Sequence, residues 1–284
     1  MPRIVATLCL LTVLCASPAA GDSRRGEAET PYDRPILLVA HDAYYPPFCF
    51  FDSEGEPAGY LVDLWRAFGS ENDMEIVFKL GTWQESLDMV LDGRADVHGG
   101  LVHSADRDRI FDFGPDIIEL STHIHVRKGR DAAKARPVGV VRGGYEEYFM
   151  RANRPGTPLI LFDENLSMIG AAARGEYPAF AADTPTASAC LAMHDSRDDF
   201  DRADLLYRKP LRAAVVEGRH DILNLVIHGW ERMDQKRIAR IHGKWFMDAP
   251  ERSPWIVRGM LIGLLVLVLA LAVRLLSQRH RRVE

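Results

Sequence analysis

The sequence predicts an α/β fold of mainly parallel strands with helices layered on them, and three observations predict it. Short apolar runs rich in Val, Ile, Leu and Phe alternate with stretches whose apolar residues recur at helical spacing. The alternation fills about 230 residues between two apolar ends, enough chain for one large domain or two lobes. Neither an internal repeat nor a low-complexity tract interrupts it.

Taken in order, the chain opens with Arg3, an almost wholly apolar run Ile4 to Cys15, and the small residues Ala16-Ser17-Pro18-Ala19-Ala20-Gly21. That layout predicts a secretory signal peptide over residues 1–21, because the run is shorter than the ~20 residues a spanning helix needs. Residues 22–34 are polar, with Arg, Glu, Gly and Pro, and read as a flexible leader. Ile36 to Ala40 is a buried strand, and Pro46-Pro47 forbids regular structure just after it. Leu61, Leu64, Trp65 and Phe68 mark a helix, and Ile76 to Phe78 the next strand. Thr82 and Glu85 have capping-box spacing and open a helix with Trp83, Leu87, Val90 and Leu91 on its apolar face. Ala95 to Val97 is a short strand running into Gly99-Gly100. Strands are predicted at 122–126, 138–141, 159–162 and 179–182, and helices at 146–151, 165–174, 185–194, 222–233 and 235–245.

The far end carries a second apolar run, 255–276, uncharged between Arg258 and Arg274 and followed by the basic tail 277–284. Its length predicts a transmembrane helix, and the basic flank predicts a cytoplasmic C-terminus. The expected placement is therefore single-pass in the bacterial cytoplasmic membrane, with the middle domain in the periplasm. The formal charge of −5 speaks against a nucleic-acid partner. Beyond the first 21 residues only Cys49 and Cys190 remain, too few for a disulfide framework. No cofactor is implied.

Certain residues are more specific. They run Tyr45-Pro46-Pro47-Phe48 with Gly59-Tyr60-Leu61-Val62-Asp63-Leu64, then Trp83 leading to Gly93-Arg94-Ala95-Asp96. Ser104-Ala105-Asp106-Arg107 with Phe111-Asp112-Phe113 follows. Val138 to Gly144, Asp183-Thr184-Pro185 and Lys244-Trp245-Phe246 complete the series. In this order and spacing the chain resembles the family 3 extracellular solute-binding proteins, the Venus-flytrap domains of type II topology also found in membrane-anchored sensors. The resemblance implies a two-lobed periplasmic-binding-protein fold over 35–248 with an interlobe cleft. Lobe 1 would be 35–118 with 212–248, and lobe 2 would be 122–208.

It also implies a ligand set of Asp42, Tyr45, Trp83, Gly100, Arg107, Arg142 and Asp183. A guanidinium suits a carboxylate because it offers parallel donors, so Arg107 is the expected carboxylate partner; the alternative is a surface pair with Asp106 or Asp108. Asp183 is the expected ammonium partner, and its position also fits a helix N-cap before Pro185. Asp42 offers a second acid or an interlobe contact. Tyr45 and Trp83 would wall the cleft, although Trp83 equally fits a core role. Arg142 stands at a strand-to-helix turn that favours an anion. Two positions depart from the pattern of amino-acid binders: Val102 replaces a threonine, and Ala182 is small and apolar. His98 and His103 are expected to be satisfied locally, and His123 with His125 lacks the third ligand a metal site needs.

The resulting expectation is binding of an amino acid or related carboxylate for sensing, with a separate kinase or cyclase chain as output. The binding component of an ABC-type transporter, working with a permease, is the first alternative. The second is an enzyme such as a dehydratase, with Asp42 or Glu85 as acid; no nucleophile–base set is evident, so no enzyme is expected.

Overall fold

The computed structural model describes residues 34–131 and 134–246. They belong to one compact unit that starts at Arg34. The expected signal peptide, the apolar run 255–276 and the basic tail lie outside the described residues. Among the described residues no helix is long and apolar enough to cross a membrane, and that finding overturns the expected single-pass membrane placement.

The elements follow the predicted alternation. The first half holds β1 (Ile36–Asp42), β2 (Tyr44–Tyr45), β3 (Cys49–Phe51), β4 (Pro57–Ala58), α1 (Tyr60–Glu71), β5 (Glu75–Gly81), α2 (Trp83–Leu91), β6 (Val97–Val102) and the long β7 (Phe111–Arg127). The second half holds β8 (Val138–Val141), α3 (Tyr145–Asn153), β9 (Leu159–Phe162), α4 (Asn165–Ala173), β10 (Ala179–Asp183), α5 (Thr184–Ala192), the long β11 (Phe200–Val216), α6 (His220–Glu231) and α7 (Gln235–Phe246).

The main sheet runs β5-β1-β6-β11-β7-β10-β8-β9, and β2-β3-β4 form a small separate sheet. At one end β1 lies parallel between β5 and β6; at the other β8 lies parallel between β9 and β10. Only β7 and β11 belong to both ends, paired antiparallel from Phe111↔Val216 to Arg127↔Phe200. β6 joins β11 at Leu211 to Ala214, and β10 joins β7 at Thr122 to Val126. In between, at Glu119↔Pro210, Leu120↔Lys209 and Ser121↔Arg208, the two strands have only each other. This two-stranded neck makes the α/β fold two-lobed.

Each lobe has its own cores. In lobe 1, Leu37, Val39, Phe48, Tyr60, Leu61, Trp65 and Phe68 pack together on one side, and Val90, Leu101, Phe111 and Ala214 on another. In lobe 2, Met168, Ile169, Phe180 and Leu191 form one cluster, and Val126, Val138, Val140, Met150 and Ala179 a second. Burial on both faces explains why the parallel strands read as continuous apolar runs.

Two elements differ from expectation. Gly99-Gly100 does not end a strand but lies inside β6. A Cβ at Gly99 would sit 3.0 Å from Trp65 Nε1, and one at Gly100 3.0 Å from Leu61 Cδ1, so these glycines let α1 approach the sheet. Strands β7 and β11 are each 17 residues long, where a strand was expected only at 122–126 and none over 200–216. Pro115 and the charges of Asp201, Arg202, Asp204 and Arg208 mask the strand pattern in sequence. Proline is tolerated at Pro115 because β7 has no second neighbour there.

Candidate ligand-binding site

Between the lobes lies a pocket of about 510 Å3 of non-atom space, its open mouth included. Asp42, Tyr45, Trp83, Gly100, Arg107 and Asp183 all line it. Arg142 is not among the lining residues.

Lobe 1 brings its residues to the carboxyl ends of β1 and β6 and to the first turn of α2. The predicted capping box is present: the Thr82 side chain accepts from Glu85 N–H, and the Glu85 carboxylate accepts from Thr82 N–H at 2.8 Å. It fixes the entry of α2 and so the position of Trp83. Glu85, considered above as an acid, is used in this cap and is absent from the pocket lining. The Arg107 guanidinium lies 5.2 Å from the Trp83 ring centroid, a cation–π distance. It donates to Val102 O at 2.8 Å and to Gly143 O of lobe 2 at 3.1 Å. The anticipated surface pair with Asp106 or Asp108 is not formed; Asp108 instead pairs with His103 at 2.9 Å. Burial lowers the Arg107 pKa and the negative field of Glu146 opposes that; a guanidinium stays charged in either case.

Asp183 ends β10 and is 8% exposed. It occupies the N-cap position of α5 but makes no capping bond. Its carboxylate accepts from the Tyr45 hydroxyl across the cleft and from the Thr122 hydroxyl on β7. Burial, with the nearby charge of Glu146, pushes its pKa up to about 7, against the pull of those hydroxyls. Asp42, at the end of β1, is 2% exposed and is likewise pushed to about 7, chiefly by burial and partly by Glu164.

Sequence reasoning missed Tyr145, Glu146 and Asn165, which also line the pocket. Glu146 stands in the first turn of α3 and accepts from Tyr207 on β11 at 2.8 Å. Asn165 begins α4. Helix starts facing the carboxyl ends of parallel strands are where α/β folds collect ligands, and that rule was the available signal.

Arg142 is 60% exposed and pairs with Asp163 at 3.2 Å. The strand-to-helix turn beside it is present, with Gly143 at φ +67. The Gly143 N–H, however, already donates to the Glu147 carboxylate at 2.7 Å, so the turn's anion capacity is used internally.

The histidines are held locally. His98 lies with Nε2 3.2 Å from Ser86 Oγ and Nδ1 3.3 Å from Gly100 N, and burial lowers its pKa well below the usual value. His123 contacts the Thr184 hydroxyl at 3.0 Å, and His125 contacts Ala182 O at 3.3 Å. Cys49 and Cys190 are both buried and free.

Residues 37–248 match the bacterial extracellular solute-binding proteins, family 3. The chain belongs to that family. Among curated relatives it is 29% identical over 150 residues to a probable histidine-binding protein of Neisseria gonorrhoeae, covering 50% of this chain and 56% of that one. It is 26% identical over 169 residues to the L-cystine-binding protein TcyJ of Escherichia coli K12, covering 55% and 64%. The matches thus span under two thirds of these relatives' length. Among solved structures, a histidine kinase sensor domain with similarity to periplasmic binding proteins shares the fold, with TM-score 0.70 and 24% identity over 75% of this chain and 97% of that one. An ancestral arginine-binding protein bound to arginine does too, with TM-score 0.69 and 24% identity over 76% and 100%.

Proposed function

We propose that this family 3 protein binds a free α-amino acid, or a carboxylate close to one, in the interlobe pocket, and that hinge closure over it is read out as a signal. Lobe 1 is taken as 35–118 with 212–248, and lobe 2 as 122–208, turning about the neck strands. The single observation that carries the reading is that Arg107 from one lobe and Asp183 from the other line one pocket. These are the two opposite charges a zwitterion requires. Arg107 takes the carboxylate, because its guanidinium is fixed by two carbonyls and stacked on Trp83. Asp183, with the Tyr45 hydroxyl, takes the ammonium. Val102 contributes only its backbone carbonyl, which orients Arg107 and leaves the threonine hydroxyl unreplaced. Tyr45 and Trp83 form the apolar walls, and Gly100 contributes backbone to the lining.

The relatives' names, histidine-binding and cystine-binding, support an amino-acid ligand. The shared fold with a histidine kinase sensor domain supports sensing as the use of closure. Closure carries information only if the ligand has unequal affinity for open and closed forms, and a ligand gripped by both lobes satisfies that condition. Calorimetric titration of the purified protein with an amino-acid panel tests the reading. Binding that disappears in Arg107→Ala is the expected result; a panel with no binder sinks it.

A further inference from the structure

Two polar side chains are buried between α2 and the sheet of lobe 1, where the packing is otherwise apolar. Ser86 on α2 and His98 on β6 are both 0% exposed, and the cluster there is built from Ala40, Val90, Leu101 and Ala214. In register across the sheet His98 stands between Ala40 and Ala214. An apolar pair would hold α2 on the sheet about as well, because replacing both partners of a buried hydrogen bond by apolar groups is nearly neutral. What a satisfied polar pair adds is a unique arrangement.

That arrangement follows from which groups can donate. Gly100 N–H approaches His98 Nδ1 at 3.3 Å, and a backbone N–H can only donate. Nδ1 is therefore the bare nitrogen. The neutral ring then carries its proton on Nε2, which lies 3.2 Å from Ser86 Oγ and donates to it. Ser86 gives its single proton to Trp83 O at 2.7 Å. The three bonds form one relay of constant polarity, from the Gly100 N–H through His98 and Ser86 to the Trp83 carbonyl. Both of its ends, Gly100 and Trp83, line the interlobe pocket, whereas His98 and Ser86 do not. The capping box sets where α2 begins; the relay sets how that end stands against β6.

The neutral ring is also protected. Burial, the His41 ring 5.0 Å away on β1 and the positive charge of Arg107 all disfavour a second proton on His98. The Trp83 ring covers another side, with centroids 5.7 Å apart. A proton on Nδ1 would face the Gly100 N–H donor to donor and break the first bond of the relay.

We propose that His98, as the neutral Nε2–H tautomer, is a positioning residue of the ligand site: through Ser86 it fixes the Trp83 wall against the Gly100 backbone without itself touching the ligand. The role rests on the amino-acid reading above.

Nitrogen-15 NMR of the histidine rings in the ligand-free whole chain reads the tautomer, with the His98 signals assigned by their absence from His98→Gln. A protonated Nε2 and a bare Nδ1 are expected from pH 8 to pH 5. The opposite tautomer, or protons on both nitrogens across that range, overturns the relay. Calorimetry with L-histidine, L-cystine and L-arginine reads the role. The double variant Ser86→Ala/His98→Leu is expected to melt within about 3 °C of the unaltered protein, because both partners leave together. It should nevertheless bind the tightest of the three about tenfold more weakly. His98→Gln, which keeps a donor for Ser86, should recover part of that loss. If the double variant does not fold, Ser86→Ala alone cuts the relay at its last bond and is measured in its place. A lowered melting temperature with unchanged affinity would make the relay structural only and overturns the positioning role. A panel in which none of the three binds overturns the amino-acid reading and the role resting on it, while the tautomer, read without ligand, decides the relay separately.

Discussion

The two walls of the cleft are built on opposite plans. The lobe 1 wall is held by backbone: Arg107 is aimed by the Val102 carbonyl of its own lobe and by the Gly143 carbonyl of lobe 2, Trp83 by a helix cap, and Asp42 by the Tyr44 amide. Behind it lie His41 and His98, their rings 5.0 Å apart and both kept neutral by burial. The lobe 2 wall is held by side chains of the two long strands, just past the neck. Asp183 is tied to Thr122 on β7 and Glu146 to Tyr207 on β11. The difference teaches that the cation site is set by backbone carbonyls, one from each lobe, whereas the acid site is fastened by hydroxyls of the two long strands. Opening of the cleft therefore releases Arg107 from Gly143 and Asp183 from Tyr45, while Arg107 keeps Val102 and Asp183 keeps Thr122.

The largest effect should come from breaking the fixed wall. Arg107→Ala removes the charged partner of a buried carboxylate and is expected to cost about 3–5 kcal/mol of binding, beyond detection for a micromolar ligand. Arg107→Lys should recover little, because an ammonium cannot reproduce a planar fork held by two carbonyls. Calorimetry checks both; wild-type affinity in Arg107→Lys would show that only charge matters at this wall.

The acid walls should answer to pH. With Asp183 and Asp42 both near pH 7, each is mostly protonated at pH 6 and mostly ionised at pH 8. A cationic group needs the ionised form, so affinity is expected to rise with pH across this window, by up to about tenfold per pH unit for each coupled proton. Stability of the free protein should move the other way. A folded carboxylate titrating near 7 instead of its ordinary 3.8 binds extra protons between about pH 4 and 7, so its contribution falls as pH rises through that range. Asp42→Asn should therefore stabilise the ligand-free protein at pH 8 by on the order of 1–3 kcal/mol. Thermal melts at pH 5 and pH 8 measure it, and an equal shift at both would remove the titration argument. The buried histidines oppose this trend. His41 and His125, lowered to about 4, give stability that is full above about 6.5 and lost as pH falls from there toward 4.

A smaller effect should separate the two plans directly. Thr122→Val removes the hydroxyl that ties Asp183 to β7 without touching lobe 1. It is expected to weaken binding by about 1–2 kcal/mol, the cost of one hydrogen bond to a charged group. The same variant should alter small-angle scattering on ligand addition, since the acid no longer follows the neck. An unchanged affinity would mean that Tyr45 alone aims Asp183.

Much of this was legible in the sequence because it rests on local chemistry. The Thr82/Glu85 spacing located Trp83, and the buried parallel strands declared themselves as apolar runs such as Val138-Gly139-Val140-Val141. The neck was hidden for a physical reason. β7 and β11 are each flanked on both sides only near one end, so their middles carry Glu119, Arg208 and Lys209 as solvent-facing edges do. Glu146 was hidden for another: an acid in the first turn of a helix reads as a favourable dipole partner whether or not a pocket lies in front of it.

The smallest expected effect concerns Arg142, which sequence placed among the ligand residues. Its guanidinium pairs with Asp163 in solvent, where an isolated ion pair contributes about 0–1 kcal/mol and is screened by salt. The anion-favouring turn beside it is already occupied, since Gly143 N–H donates to Glu147 and Glu147 in turn is held by Arg151 at 2.7 Å. A ligand carboxylate would have to displace Glu147 to use that turn, at the cost of both bonds, while Arg107 stands in the pocket with its charge uncompensated by any ion pair among the described residues. Arg142→Ala should therefore leave affinity within about twofold, under 0.5 kcal/mol, at low and high salt alike. A tenfold loss that deepens at low salt would instead place a charged part of the anion receptor on lobe 2, beside the Gly143 carbonyl that already reaches Arg107.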